Sequence, residues 1–167
     1  MKYFIRQLVP CIATFGHLYQ VLRSESFKAL NELPEDTAPY SWIDRQHHHT
    51  LDVSNPESIA FVQDMIDEFL PLFSSDKFNI GCDETFDLGE GRNKALADRV
   101  GKGRLYIDFL KRIIAHVEKY GKQVLFWGDI ILTHSEYLPE LPENVVTLNW
   151  NTWNCHFSGD GSIYQKR

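Results

Sequence analysis

The chain has 167 residues, is 43% hydrophobic and 13% aromatic, and carries a formal net charge of -6. The acidic balance argues against a nucleic-acid partner, and no apolar run is long enough to span a bilayer. Arg6 and Gln7 stand where the apolar core of a secretory signal would lie. Cys11, Cys82 and Cys155 are odd in number and widely spread, which suits reduced thiols in a cytoplasmic setting rather than a disulfide framework.

Taken in order, Leu8 to Ala13 reads as a buried strand despite Pro10, and Thr14-Phe15-Gly16-His17 turns the chain. A short helix is expected from Ser24 to Asn31, then a long polar loop from Glu32 to Val53. Asn55-Pro56-Glu57 is a helix start, with an Asn cap, Pro at the first position and an acid in the first turn. Ile59, Val62, Ile66 and Phe69 follow at helical spacing. Lys77 to Cys82 is the next strand. A polar loop with Gly89, Gly91, Gly101 and Gly103 leads to a second helix, Arg104 to Tyr120, which stops at Gly121. Gln123 to Trp127 and Val145 to Trp150 complete four strands, the last two separated by a short helix or loop.

This alternation predicts parallel strands joined by helical crossovers. Polar or aromatic residues end each strand: His17, Asp83-Glu84, Trp127 with Asp129, and Asn149-Trp150. The carboxyl ends of barrel strands carry active sites. Adjacent acids there repel, which favours a proton on one of them, and a protonated acid beside an ionised one is equipment for cleaving a glycosidic bond. Four strands do not close an eight-stranded barrel, so an open α/β sheet is the formal alternative.

Other features read blandly. His47-His48-His49 are consecutive and do not easily converge on one ion, so they read as an exposed loop rather than a metal site. Asp87 and Glu90 would repel a phosphate from the Gly89-Glu90-Gly91 turn. Cys82 beside two acids is a poor nucleophile and reads as a small structural residue.

Leu8-Val9-Pro10, Phe15-Gly16-His17, Asn79-Ile80-Gly81-Cys82-Asp83-Glu84, Phe126-Trp127-Gly128-Asp129 and Asn149-Trp150 together resemble the family 20 glycoside hydrolases, β-N-acetylhexosaminidases on a (β/α)8 TIM barrel. The usual motif is His-x-Gly-Gly-Asp-Glu; here Asn79 replaces the His and Cys82 the second Gly. The Gly-Cys-Asp-Glu form followed by Leu88-Gly89-Glu90-Gly91 is similar to the hexosaminidase D branch.

The resemblance implies a single partial catalytic domain over 1–167, an α/β partial barrel whose four parallel strands are the third to the sixth. It implies removal of terminal β-linked N-acetylglucosamine or N-acetylgalactosamine by substrate-assisted, retaining hydrolysis, without metal or organic cofactor. Glu84 would be the acid/base and Asp83 would orient the acetamide group. His17, Trp127, Asp129 and Trp150 would line the sugar pocket. The missing strands leave a second reading, a non-catalytic sugar-binding or assembly module, and an unrelated open-sheet enzyme is a third. They also predict self-association through unpaired sheet edges.

Overall fold

The computed structural model describes residues 8–149 and the short strand at 164–165. It is an α/β fold. β1 (Lys77–Asn79), β2 (Gln123–Trp127) and β3 (Val146–Leu148) run parallel in that order, with β4 (Tyr164–Gln165) outermost. Phe78 pairs with Val124, and Phe126 with Thr147.

The apolar periodicity of the sequence becomes the outer layer. α1 is Tyr19–Leu22 and α2 is Pro56–Phe69. The Asn55 side chain accepts the Glu57 N–H at 3.0 Å, which satisfies one of the donors left open by the first turn. α2 buries Ile59, Val62 and Ile66. After α3 (Lys94–Val100), α4 (Lys102–Glu118) buries Leu105, Phe109, Ile113 and Val117 among others. α5 is Asp129–Thr133. Phe78 of β1 and Val124 and Phe126 of β2 join the same apolar cluster as these helices. Each large side chain fully removed from water there contributes about 1.5–3 kcal/mol.

Four expectations change. Leu8 to Ala13 is an extended segment rather than a full strand. It touches β1 through one parallel bridge, Cys11 to Asn79, because Pro10 has no N–H to give the ladder. Its carbonyl does accept the Asn79 N–H at 2.9 Å. In place of the helix expected at 24–31 there is only a 3-10 turn at Lys28–Leu30; the helical turn lies earlier, in α1, where the Ser24 hydroxyl donates back to the Val21 carbonyl at 2.8 Å just past its end.

The loop between β1 and α4 holds α3, split from α4 by Gly101 at φ 86°. Finally, the strands are not all parallel. β4 pairs antiparallel with β3, Leu148 opposite Tyr164, so the far side of β3 is paired and not a bare edge. The last strand was expected to reach Trp150, and that residue lies outside those described.

Candidate active site

The end of β1 is shaped by backbone that few residues tolerate. Gly81, Cys82 and Glu84 have φ of 69°, 66° and 48°, in the left-handed region that is costly for side-chain-bearing residues. Glycine would bear that conformation at the Cys82 position without the cost. The bend is held on several sides. Asn79 Oδ1 accepts the Gly81 N–H at 2.9 Å, and the Trp127 N–H donates to the Gly81 carbonyl at 2.9 Å. The Tyr106 hydroxyl donates to the Cys82 carbonyl at 2.8 Å. Thr14 donates to the Ile80 carbonyl at 2.6 Å and lies 3.3 Å from the Cys82 sulfur. Cys82 is buried, and burial pushes its thiol far above the usual range, which leaves it inert as a nucleophile.

The result of the bend is that Asp83 and Glu84 both face His17. His17 Nε2 lies 3.0 Å from Asp83 Oδ2 and 3.5 Å from Glu84 Oε2. Such closeness requires Gly16: a Cβ there would lie 2.2 Å from the Asp83 carbonyl oxygen. The hydrogen bond to Asp83 raises the His17 pKa; desolvation opposes this, and the charges of Asp83, Glu84 and Asp129 reinforce it. His17 itself sits at φ 59°.

Asp129 begins α5, and its Oδ2 accepts the Glu84 N–H at 2.9 Å. It therefore holds the backbone of Glu84 in place. Asp129 Oδ1 is buried without a hydrogen-bond partner among the described residues, and burial raises the pKa of this carboxyl. Trp127 ends β2, half-buried. The structure thus brings His17, Asp83, Glu84 and Asp129 together and sets Trp127 at the end of the neighbouring strand, while Trp150 lies outside the described residues.

The histidine run is an exposed loop only at its start: His47 is exposed, His48 half-buried and His49 buried. His47 Nε2 lies 3.9 Å from Glu84 Oε1, on the opposite oxygen from His17, and its ring meets Phe86 edge-on at 5.3 Å. His48 Nδ1 lies 3.2 Å from Asp87 Oδ1, and the His49 N–H donates to Asp87 Oδ2 at 2.7 Å. His49 is fully buried, stacked on Tyr19. Asp87, three residues after Glu84, thus ties the run to the loop that carries the acids. An acid so close in sequence to Glu84 was the one available signal.

A second clamp was not foreseen. Glu32 is buried and accepts the N–H groups of Gly89, Gly91 and Asn93 at 3.1, 3.2 and 2.9 Å, and the Asn93 amide also donates to it. That amide further donates to Asp52 Oδ1 at 2.7 Å.

Parallel strands with helical crossovers and paired carboxylates at a strand's carboxyl end are the arrangement of an α/β protein that carries its acids where barrel enzymes place theirs. The model of the catalytic domain of glycosyl hydrolase family 20 matches residues 4–160, and the chain belongs to that family. Hexosaminidase D of Bos taurus is 28% identical over 131 residues, 75% of this chain and 35% of that protein. Hexosaminidase D of Homo sapiens is 29% identical over 144 residues, 83% of this chain and 26% of that protein. The chain therefore spans about a quarter to a third of the length of these relatives. Among solved structures, the β-N-acetylhexosaminidase of Bacteroides fragilis aligns with a TM-score of 0.67 at 21% identity, over 90% of this chain and 29% of that one. That likeness speaks for the fold.

Proposed function

We propose that residues 1–167 are a single partial catalytic domain, the third to sixth strands of a (β/α)8 barrel, and that the enzyme it belongs to removes terminal β-linked N-acetylhexosamine. The observation that carries this reading is the shared face of Asp83 and Glu84, bridged by His17 within 3.5 Å of both.

Adjacent residues on one bend place both carboxylates on the same side of a sugar, unlike a pair set across it. One of them then serves a group on the substrate. In this reading the substrate's 2-acetamido oxygen attacks the anomeric carbon, and Asp83 orients the acetamide N–H. Glu84 donates a proton to the departing oxygen and later takes one from water. Asp129 keeps Glu84 in register through the backbone bond. The resemblance of their motifs assigns Trp127 and Trp150 to the pocket wall.

The test is Glu84→Gln in a chain extended to the length of the relatives. Turnover of a substrate with a poor leaving group should fall by about 10²–10⁴-fold, and no sugar should become covalently attached to Asp83. A covalent Asp83 adduct, or near-native turnover in the variant, overturns the mechanism. The 167-residue chain by itself should be inactive and self-associated. β4 covers one side of the sheet, but the segment through Cys11 remains its outer edge among the described residues, with Leu8 71% exposed. Such an edge invites pairing. A monodisperse monomer would remove the self-association part of this reading. An inactive full-length protein that still binds N-acetylglucosamine would favour the sugar-binding module.

A further inference from the structure

A general acid must touch the oxygen that leaves, so the leaving group lies against whatever surrounds the Glu84 carboxyl. Its two oxygens face His17 and His47, which stand at opposite ends of one segment, 17–47. That segment encloses a cavity of about 410 Å³ whose lining includes His17, Tyr19, Gln20, Trp42, Arg45 and Gln46. The volume falls within the range of small-ligand pockets, about 300–1,000 Å³. His17 belongs both to this cavity and to the acid pair, so the two spaces adjoin.

The lining has the chemistry of a sugar site. Trp42 is 75% exposed and offers a flat, rigid indole for the C–H face of a pyranose. Two glutamine amides supply both donors and acceptors for hydroxyls. Arg45 is half-buried and fixed in direction: its Nε donates to the Tyr40 carbonyl at 3.1 Å, and its guanidinium lies 5.1 Å from the Tyr19 ring centre. Arg23 approaches the same ring at 4.9 Å. Neither arginine has a carboxylate within salt-bridge distance among the described residues, in a chain with an excess of six acids. A preset guanidinium without an anion is a ready partner for a planar carboxylate.

We propose that this cavity is the subsite for the leaving-group sugar, with Trp42 as its platform and Arg45 selecting a pyranose that carries a carboxylate. The proposal rests on the reading of Glu84 as the acid. It adds a preference for the residue next to the terminal N-acetylhexosamine, which the acid pair alone does not set.

The test uses the chain extended to the length of its relatives and two sulfur-linked disaccharides that the acid does not cleave. Each has N-acetylglucosamine joined to either glucuronate or glucose, which differ only at C6. The monosaccharide thiazoline is the control for the acetamide pocket. Binding is read by saturation-transfer NMR and calorimetry. The glucuronate compound should bind about five- to tenfold more tightly than the glucose compound, in the range of one charge-assisted pair, and less so at high salt.

Trp42→Ala should weaken both disaccharides by about three- to tenfold, the scale of one aromatic contact, and leave the thiazoline unchanged. Arg45→Gln should abolish only the glucuronate advantage. Both side chains lie outside the buried core, so neither change threatens the fold. Unchanged disaccharide affinity in Trp42→Ala overturns the subsite. Equal binding of the two disaccharides to the unaltered chain overturns the carboxylate preference. Failure of the thiazoline itself to bind removes the proposed function, and this subsite with it.

Discussion

Between α2, α4 and the sheet, burial is apolar: Ile59, Val62 and Ile66 on one helix, Phe109, Ile113 and Val117 on the other, with Phe78 and Phe126 beneath. At the carboxyl end of β1 burial is just as deep, but the groups are Glu32, Asp52, Asp83, Asp87 and Asn93. The helical layer is held by contact area, which is non-directional and tolerates small shifts. The loop layer is held by hydrogen bonds to buried carboxylates, which are directional and costly to leave unmade. The difference assigns the two layers separate tasks. One supplies stability. The other fixes a strained bend, with His17, His49, Cys82 and Glu84 all in the left-handed region, so that two acids share one face.

The largest expected effect breaks the apolar side. Phe109 is buried and packs on Phe15, with ring centres 4.7 Å apart. Phe109→Ala should cost about 3–5 kcal/mol, read as a lower urea midpoint, with protection against hydrogen exchange lost throughout the sheet and helices. A loss confined to one loop would show that the apolar layer does not carry the stability of the fold.

A smaller and more local effect is expected on the polar side. Glu32→Ala strips the acceptor from three backbone N–H groups and should cost about 2–3 kcal/mol. Its signature is faster hydrogen exchange at Gly89, Gly91 and Asn93, with the amides of α4 unchanged. Uniform loss of protection would contradict the separation of the two layers.

The same contrast decides what could be read from the sequence. α2 and α4 were legible because an apolar face repeats every three to four residues, and the Asn55-Pro56 start is local chemistry. Asp83-Glu84 and His17 were legible because each follows a strand and a glycine. The clamps were not. Glu32 meets its partners across 57 to 61 residues, and no period or spacing encodes such a meeting. His47 beside Glu84 was hidden by its company in a run of three, because adjacent residues point in different directions and only the folded loop shows which one faces the acid. α3 was obscured by the four glycines around it, although Gly101 marks the end of a helix. The strand at Leu8 to Ala13 was overread, since its apolar residues are right and Pro10 is wrong for a ladder.

The smallest expected effect sharpens the comparison through two histidines that sit in it differently. His17 pairs with Asp83 at the mouth of the site, also faces Glu84 and Asp129, and has its pKa raised above the ordinary 6.5. His49 is fully enclosed, stacked on Tyr19, and faces Asp36, Asp87, Arg23 and His48; burial lowers its pKa below 6.5. The signs therefore oppose. The contribution of His17 to folding is complete below 6.5 and is lost as pH rises through its raised folded value. The contribution of His49 is complete above 6.5 and is lost as pH falls toward its depressed folded value, because the unfolded chain then binds the proton more readily. Carbon-detected NMR of the imidazole rings should give two titration curves, one on each side of 6.5. His17→Ala should flatten the stability profile on the alkaline side, and His49→Gln on the acid side. Two curves that coincide would mean that Asp83 does not hold the His17 proton, and the bridge between the acids would lose its electrostatic basis.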